Sequence, residues 1–167
     1  KNDIFFGIKG KNIDGNKFAD VALKKKASIC ILEKNYSKKN SRKIFVKDTL
    51  KTFSNLSCVI RKSLGTPIVA ITGSAGKTSL KELIGQSLNI LTPTLYSKKS
   101  FNNQYGVPLS LFNLDKKHKI GVFEIGMDKK GEIHNLSNLI QPDIGVITNI
   151  SYAHIKNFKS LKGIAEA

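Results

Sequence analysis

The segment of this sequence best suited to hold a phosphate is Thr72-Gly73-Ser74-Ala75-Gly76-Lys77-Thr78. Gly73 and Gly76 allow backbone angles that other residues avoid, so main-chain N–H groups can converge on an anion. The ammonium of Lys77 is placed to reach terminal phosphates, and the hydroxyl of Thr78 to ligate Mg2+. Ser79 follows in the first turn of a helix, whose start adds positive character. Thr72 to Ser79 are therefore the candidate nucleotide-binding residues. The common formula Gly-x-x-x-x-Gly-Lys-Ser/Thr wants glycine at position 71, where Ile71 stands. A glycine turn beside a solvent-facing lysine is the plainer alternative.

Glu124 interrupts the apolar run Gly121-Val122-Phe123-Glu124-Ile125-Gly126. A carboxylate inside a strand is costly unless a cation or metal meets it. An edge glutamate facing solvent is the alternative. His154 follows another apolar run that ends near Ile150, where open parallel sheets place their sites. Asn102 and Asn103 are polar loop residues able to donate to substrate or nucleotide, or simply to make turns, and Asn149 is able to support a metal site through its amide. His118 and His134 lack such a setting and read as surface residues. No Ser-His-Asp or Cys-His arrangement suggests a covalent nucleophile.

The elements that must position these groups follow from periodicity. Residues 3–8, 27–32 and 43–46 read as strands, and 18–26 as a helix with Phe18, Val21 and Ala22 on one face. Asp48 can cap a helix whose stripe is Leu50, Phe53, Leu56, Ile60 and Leu64. Gly65-Thr66-Pro67 breaks that pattern and marks a domain boundary. Beyond it, residues 68–72, 94–96, 119–126 and 143–149 read as strands. Residues 77–91 read as a helix with Leu80, Leu83, Ile84, Leu88 and Leu91 on one side. Residues 108–114 form a further helix, with Pro108 in its first turn, and Ile133, Leu136, Leu139 and Ile140 line another. Strands buried on both faces and alternating with helices predict a parallel, doubly wound α/β sheet. The expected fold class is α/β: a small N-terminal α/β domain, residues 1–64, then the first part of a P-loop parallel-sheet domain, residues 65–167.

Composition bounds the partners. The formal charge is +16, yet only Arg42 and Arg61 of the 28 basic residues are arginine, the usual reader of base edges. The lysines are scattered, so a solvated basic surface is expected and nucleic acid is not. A positive field still favours nucleotides. No apolar run reaches bilayer length, and Lys1-Asn2-Asp3-Ile4 does not resemble a secretion signal, so a cytoplasmic protein without membrane insertion is expected. Cys30 and Cys58 each lie in an apolar segment and are expected to be reduced, buried and structural.

The shortened loop Thr72-Gly73-Ser74-Ala75-Gly76-Lys77-Thr78 resembles the ATP loop of the Mur ligase family. Other segments agree in order. Asp3-Ile4-Phe5-Phe6-Gly7-Ile8-Lys9-Gly10, with Asp14-Gly15 and Phe18, looks like that family's UDP-binding domain, although Asn16 replaces the usual histidine. Ser100 to Leu109, Glu124 to Ile133, and Thr148 to His154 with Phe158-Lys159-Ser160 are similar to the branch that adds D-alanyl-D-alanine. The resemblance implies ATP and Mg2+ as cofactors. It makes Lys77, Glu124 and His154 catalytic, and Thr78, Glu124 and His154 metal ligands. Asn102, Asn103 and Asn149 become substrate-binding residues. It implies a monomeric ligase that phosphorylates UDP-N-acetylmuramoyl tripeptide and passes the acyl group to D-alanyl-D-alanine. The family's Asp-Ser-Arg segment would lie before Lys1, its carbamylated lysine one residue beyond Ala167, and its C-terminal domain further on. A piece truncated at both ends and without ligase activity of its own is therefore expected. A tripeptide-forming ligase, a folylpolyglutamate synthase and a non-catalytic nucleotide-binding module remain the alternatives.

Overall fold

In the computed structural model the chain forms two compact units, Lys1–Asn55 and Leu56–Ala167. The structure describes residues 3–33, 40–153, 155–158 and 160–166. The first unit is a three-stranded parallel sheet, in the order β1 (Ile4–Phe6), β2 (Ile29–Glu33), β3 (Lys43–Val46). Between β1 and β2 the chain makes a 3-10 turn, Gly15–Phe18, capped by the Asp14 carboxylate, and then helix α1 (Ala19–Lys24). The face of α1 that packs is Ala19 and Leu23, against Cys30 and Leu32. Phe18 and Val21, expected on that face, are both 48% exposed. The 3-10 turn shifts the helical phase by about a residue, so the small Ala19 meets the sheet instead. Burial pushes the Cys30 thiol above its ordinary value, against the pull of Lys43 and Arg42. Cys58 is only half-buried, so the expectation of two buried thiols holds for Cys30 alone.

Helix α2 (Thr49–Leu64) starts where expected, with Asp48 Oδ1 accepting from Lys51 N at 2.8 Å. Its buried stripe is Thr49, Phe53, Ser57 and Arg61, while Leu56 is exposed. Phe53 sets its ring edge-on to Phe6 in the first unit. Arg61 belongs to the second, donating to the carbonyls of Ile140 at 2.8 Å and Gln141 at 3.0 Å and pairing with Asp143 at 3.1 Å.

The second unit carries a four-stranded parallel sheet in the order β5 (Thr94–Tyr96), β6 (Ile120–Glu124), β4 (Ile68–Thr72), β7 (Ile144–Ile147). Helix α3 (Lys77–Leu91) carries the chain from β4 over β6 to β5, and α4 (Gly106–Leu111) returns it to β6. Helix α5 (Glu132–Ile140) then crosses β4 to reach β7. The connections leaving β4 and β6 diverge, which opens a crevice at the C-terminal ends of these two neighbours. Alternation along the strands divides the core. Ile68, Ala70 and Phe123 face α4 and α5, where Val107, Leu111, Leu136 and Ile140 complete the cluster, and α3 packs on β5 and β6. Short helices α6 (Ile155–Phe158) and α7 (Leu161–Ala165) follow β7.

Two expectations fail in this unit. Helix α3 turns Lys81 and Gly85 to the sheet, while Leu83 and Leu91 are exposed. A Cβ on Gly85 would come within 2.7 Å of Tyr96 Cβ, so the helix lies too close to β5 for a leucine stripe. Strand β7 is not buried on both faces: it lies at the edge, with Ile144 58% and Ile147 63% exposed. No helix is long and apolar enough to cross a membrane among the described residues.

Candidate active site

The glycine loop Gly73–Gly76 joins β4 to α3. Gly73 has φ +130 and Gly76, the residue before the helix, has φ +78. Neither angle suits an L side chain. A second strap of chain, residues 148–151, braces the loop. Ser74 N donates to Asn149 O at 2.9 Å, Ala75 N to Asn149 Oδ1 at 3.1 Å, and Thr148 Oγ1 to Ala75 O at 2.6 Å. Ser74 and Ser151 exchange a further pair of bonds: Ser74 Oγ donates to Ser151 O and accepts from Ser151 N. At Gly73 a Cβ would run into the hydroxyl of Thr148 and lie 2.9 Å from Asn149 O. The loop geometry therefore depends on a segment more than seventy residues away in sequence. Lys77 Nζ folds back to donate to Gly73 O at 2.7 Å.

The carboxylate of Glu124 ends β6, level with Ile71 of β4, and only 1% of the residue is exposed. Its Oε2 accepts from Thr78 Oγ1 at 2.7 Å and its Oε1 from Asn102 Nδ2 at 2.7 Å. Among the described residues no lysine or arginine pairs with it, and its two oxygens meet neutral donors alone. A buried carboxylate so placed favours a cation beside it. Mg2+ takes hard oxygens, commonly one or two from protein with phosphate and water completing the shell. The Thr78 hydroxyl and Glu124 carboxylate fit that role. A cage made only of protein does not arise, since no group of three or more His, Cys, Asp or Glu assembles among the described residues.

Sequence reasoning missed Lys81, Ser97, Lys99 and Thr148. Lys81 is wholly buried one turn beyond Lys77. Its Nζ donates to the carbonyls of Ser97 and Lys99 and pairs with Glu82 at 2.8 Å. Ser97 Oγ accepts from Glu124 N at 3.3 Å. Lys99 stands at φ +50, a conformation that costs a residue with a side chain about 1–2 kcal/mol. A lysine in an amphipathic helix gives no sign in sequence that it faces inward.

Asn102 and Asn103 reach the site from the loop before α4. Asn103 Oδ1 accepts from Gly106 N at 3.0 Å, pinning the start of that helix. Lys77, Asn102, Asn103, Tyr105, Asp128 and Glu132 line part of a cleft of about 390 Å3 beside the glycine loop. Thr72 to Ser79, Asn102, Asn103, Glu124 and Asn149 thus gather at one end of the sheet, with Asn149 against the loop's amides. His154 lies outside the described residues. His134 is exposed as expected, but the His118 side chain is only 11% exposed, its Nδ1 3.0 Å from Asp115 Oδ1.

Known proteins give the same picture. The chain is 40% identical over 164 residues to the UDP-N-acetylmuramoyl-tripeptide–D-alanyl-D-alanine ligase of Buchnera aphidicola subsp. Acyrthosiphon pisum, covering 98% of this chain. It spans 36% of that relative's length. The crystal structure of MurF from Acinetobacter baumannii superposes with a TM-score of 0.91 at 33% identity, over 99% of this chain and 36% of that one. The Thermotoga maritima MurF ligase in complex with ADP gives a TM-score of 0.90 at 31% identity, over 99% and 39%. The family model described as Mur ligase middle domain matches residues 71–167. That match begins inside β4 and takes in the glycine loop, Glu124 and the bracing strap, so it falls on the elements that build the candidate site: the chain belongs to the Mur ligase family.

Proposed function

We propose that this chain supplies the nucleotide-handling part of an ATP-dependent ligase that joins D-alanyl-D-alanine to UDP-N-acetylmuramoyl tripeptide. The observation that carries the reading is the Thr78–Glu124 pair, a hydroxyl and a buried carboxylate 2.7 Å apart beside the phosphate loop. Residues 65–167 are read as the ATP-binding domain and residues 1–64 as the domain that holds the UDP moiety. The relatives named for this ligation support both assignments, and the ADP held by the Thermotoga maritima protein supports the first.

Phosphoryl transfer needs alignment and charge neutralisation more than covalent help. The N-terminal amides of α3 and the Lys77 ammonium hold the phosphate tail, with Lys77 leaving Gly73 O for the terminal phosphates. Thr78 Oγ1 and Glu124 would hold Mg2+, which would supply positive charge at the phosphate tail. His154 is assigned to a second metal position. Asn102 keeps Glu124 oriented, and the cleft lined by Asn103 and Tyr105 receives the acceptor peptide. The tripeptide carboxylate takes the γ-phosphoryl group, and the amine of D-alanyl-D-alanine displaces phosphate to form the amide.

The test is phosphate release by the complete ligase that contains these residues, with ATP, UDP-N-acetylmuramoyl tripeptide and D-alanyl-D-alanine, beside Glu124→Gln in the same protein. Release that requires both peptide substrates and falls about a hundredfold or more in the variant is the expected result. Release indifferent to the dipeptide, or unchanged in Glu124→Gln, overturns the proposal.

A further inference from the structure

We propose that Lys81 is a positioning residue for the metal-binding carboxylate: a buried cationic tether that sets Glu124 and Asn102 through the loop between β5 and α4. The inference rests on the reading of Thr78 and Glu124 as the Mg2+ site.

Lysine is almost never fully buried unless paired. Lys81 is fully buried, and its ammonium is directed to Ser97 O, Lys99 O and Glu82 Oε1. An ammonium offers three donors, and here three acceptors meet it. Two of them are main-chain carbonyls of one loop, 16 and 18 residues along from Lys81. That loop reaches Glu124 twice. Ser97 Oγ accepts from Glu124 N, and Asn102 Nδ2 donates to Glu124 Oε1. Asn102 O also accepts from Gly126 N at 2.8 Å, which ties the loop to the chain just beyond β6. Lys99 lies between these contacts at φ +50, and its carbonyl is one of those held by Lys81. The tether thus stabilises a backbone turn that the residue at position 99 disfavours. Groups that orient a metal ligand govern metal affinity without touching the metal. Lys77, one turn earlier, is the lysine at the phosphate cleft. Lys81 acts on the carboxylate side.

A purely packing role for Lys81 makes a different forecast: a neutral replacement would lower stability and leave the response to Mg2+ intact. Calorimetric titration of ADP with and without Mg2+ separates the two. In Lys81→Met the tightening produced by Mg2+ is expected to fall about tenfold or more, with metal-free ADP binding kept within about threefold. Glu124→Gln, run in parallel, is expected to abolish the Mg2+ response. If Glu124→Gln abolishes it and Lys81→Met leaves it at the wild-type level, the inference is overturned while the metal site stands. If Glu124→Gln keeps the response, the metal-site reading fails and the inference goes with it. Lys99→Gly supplies an independent arm, because glycine adopts φ +50 without strain. Added to Lys81→Met, it is expected to restore at least about threefold of the lost Mg2+ response; no recovery counts against the tether. Should Lys81→Met fail to fold, Lys81→Gln carries the same comparison, since it keeps a donor in the pocket and removes the charge.

Discussion

Alanine substitutions at Gly73 and Gly76 should differ sharply in effect although the two residues share one loop. Both have positive φ, so each replacement incurs a backbone cost of about 1–2 kcal/mol. At Gly76 a Cβ meets nothing within 4 Å, and the cost ends there. At Gly73 it collides with Thr148 Oγ1 and stands 2.9 Å and 3.0 Å from Asn149 O and N. Backbone atoms cannot rotate away, so the strap at 148–149 must retreat. Three bonds then go: Ser74 N to Asn149 O, Ala75 N to Asn149 Oδ1 and Thr148 Oγ1 to Ala75 O. At about 1 kcal/mol each, they bring Gly73→Ala to about 4–5 kcal/mol. Taking roughly 4 °C of Tm per kcal/mol, the expected drops are about 16–20 °C for Gly73→Ala and about 4–8 °C for Gly76→Ala. Calorimetric melting of both variants reads this directly. Adding Thr148→Ala to Gly73→Ala should recover part of the loss, since it removes the hydroxyl but not the backbone contacts. Equal melting temperatures for the two glycine variants would refute the claim that the strap shapes the loop.

Two further outcomes follow from the packing. Arg61→Met should destabilise the protein by about 2–3 kcal/mol in urea unfolding, because the Ile140 and Gln141 carbonyls lose a buried donor. Asp143 keeps its bond from Ile68 N, so β4 itself should stay in register. On α3, Leu83→Glu should change stability by no more than about 0.5 kcal/mol, whereas Gly85→Ala should cost about 2 kcal/mol or more against the Tyr96 ring. The reverse order in urea melts would mean that the leucine side of α3 faces the sheet.

The chemistry of the site was easier to read in the sequence than its support. Glycine, lysine and threonine between an apolar strand and a helix mark a candidate anion site, and a glutamate amid Val122, Phe123 and Ile125 stands out by its cost. Both sit at the sheet's open end as expected. The facing of α3 was misread because periodicity counts apolar residues, and here the packed side is built from Lys81 and Gly85. Close approach to Tyr96 excludes bulk there, and the ammonium finds carbonyls that only the folded chain brings near. The same holds for Thr148 and Asn149. Their partners lie more than seventy residues back, a pairing that no local pattern encodes. On α1, a 3-10 turn reset the phase, which apolar spacing alone does not register.

Strand β7 has a composition at odds with its place. Rims of sheets are commonly guarded by lysine, proline or a bulge, which discourage other chains from pairing there. Ile144-Gly145-Val146-Ile147 has none of these guards, in a protein where lysine is abundant nearly everywhere else. Its residues are those of a strand with neighbours on either hand. Among the described residues no strand pairs with its outer flank, which is therefore a ready template for one more extended segment, laid in the same direction as the other four, and a protein handled without such a covering will tend to clump.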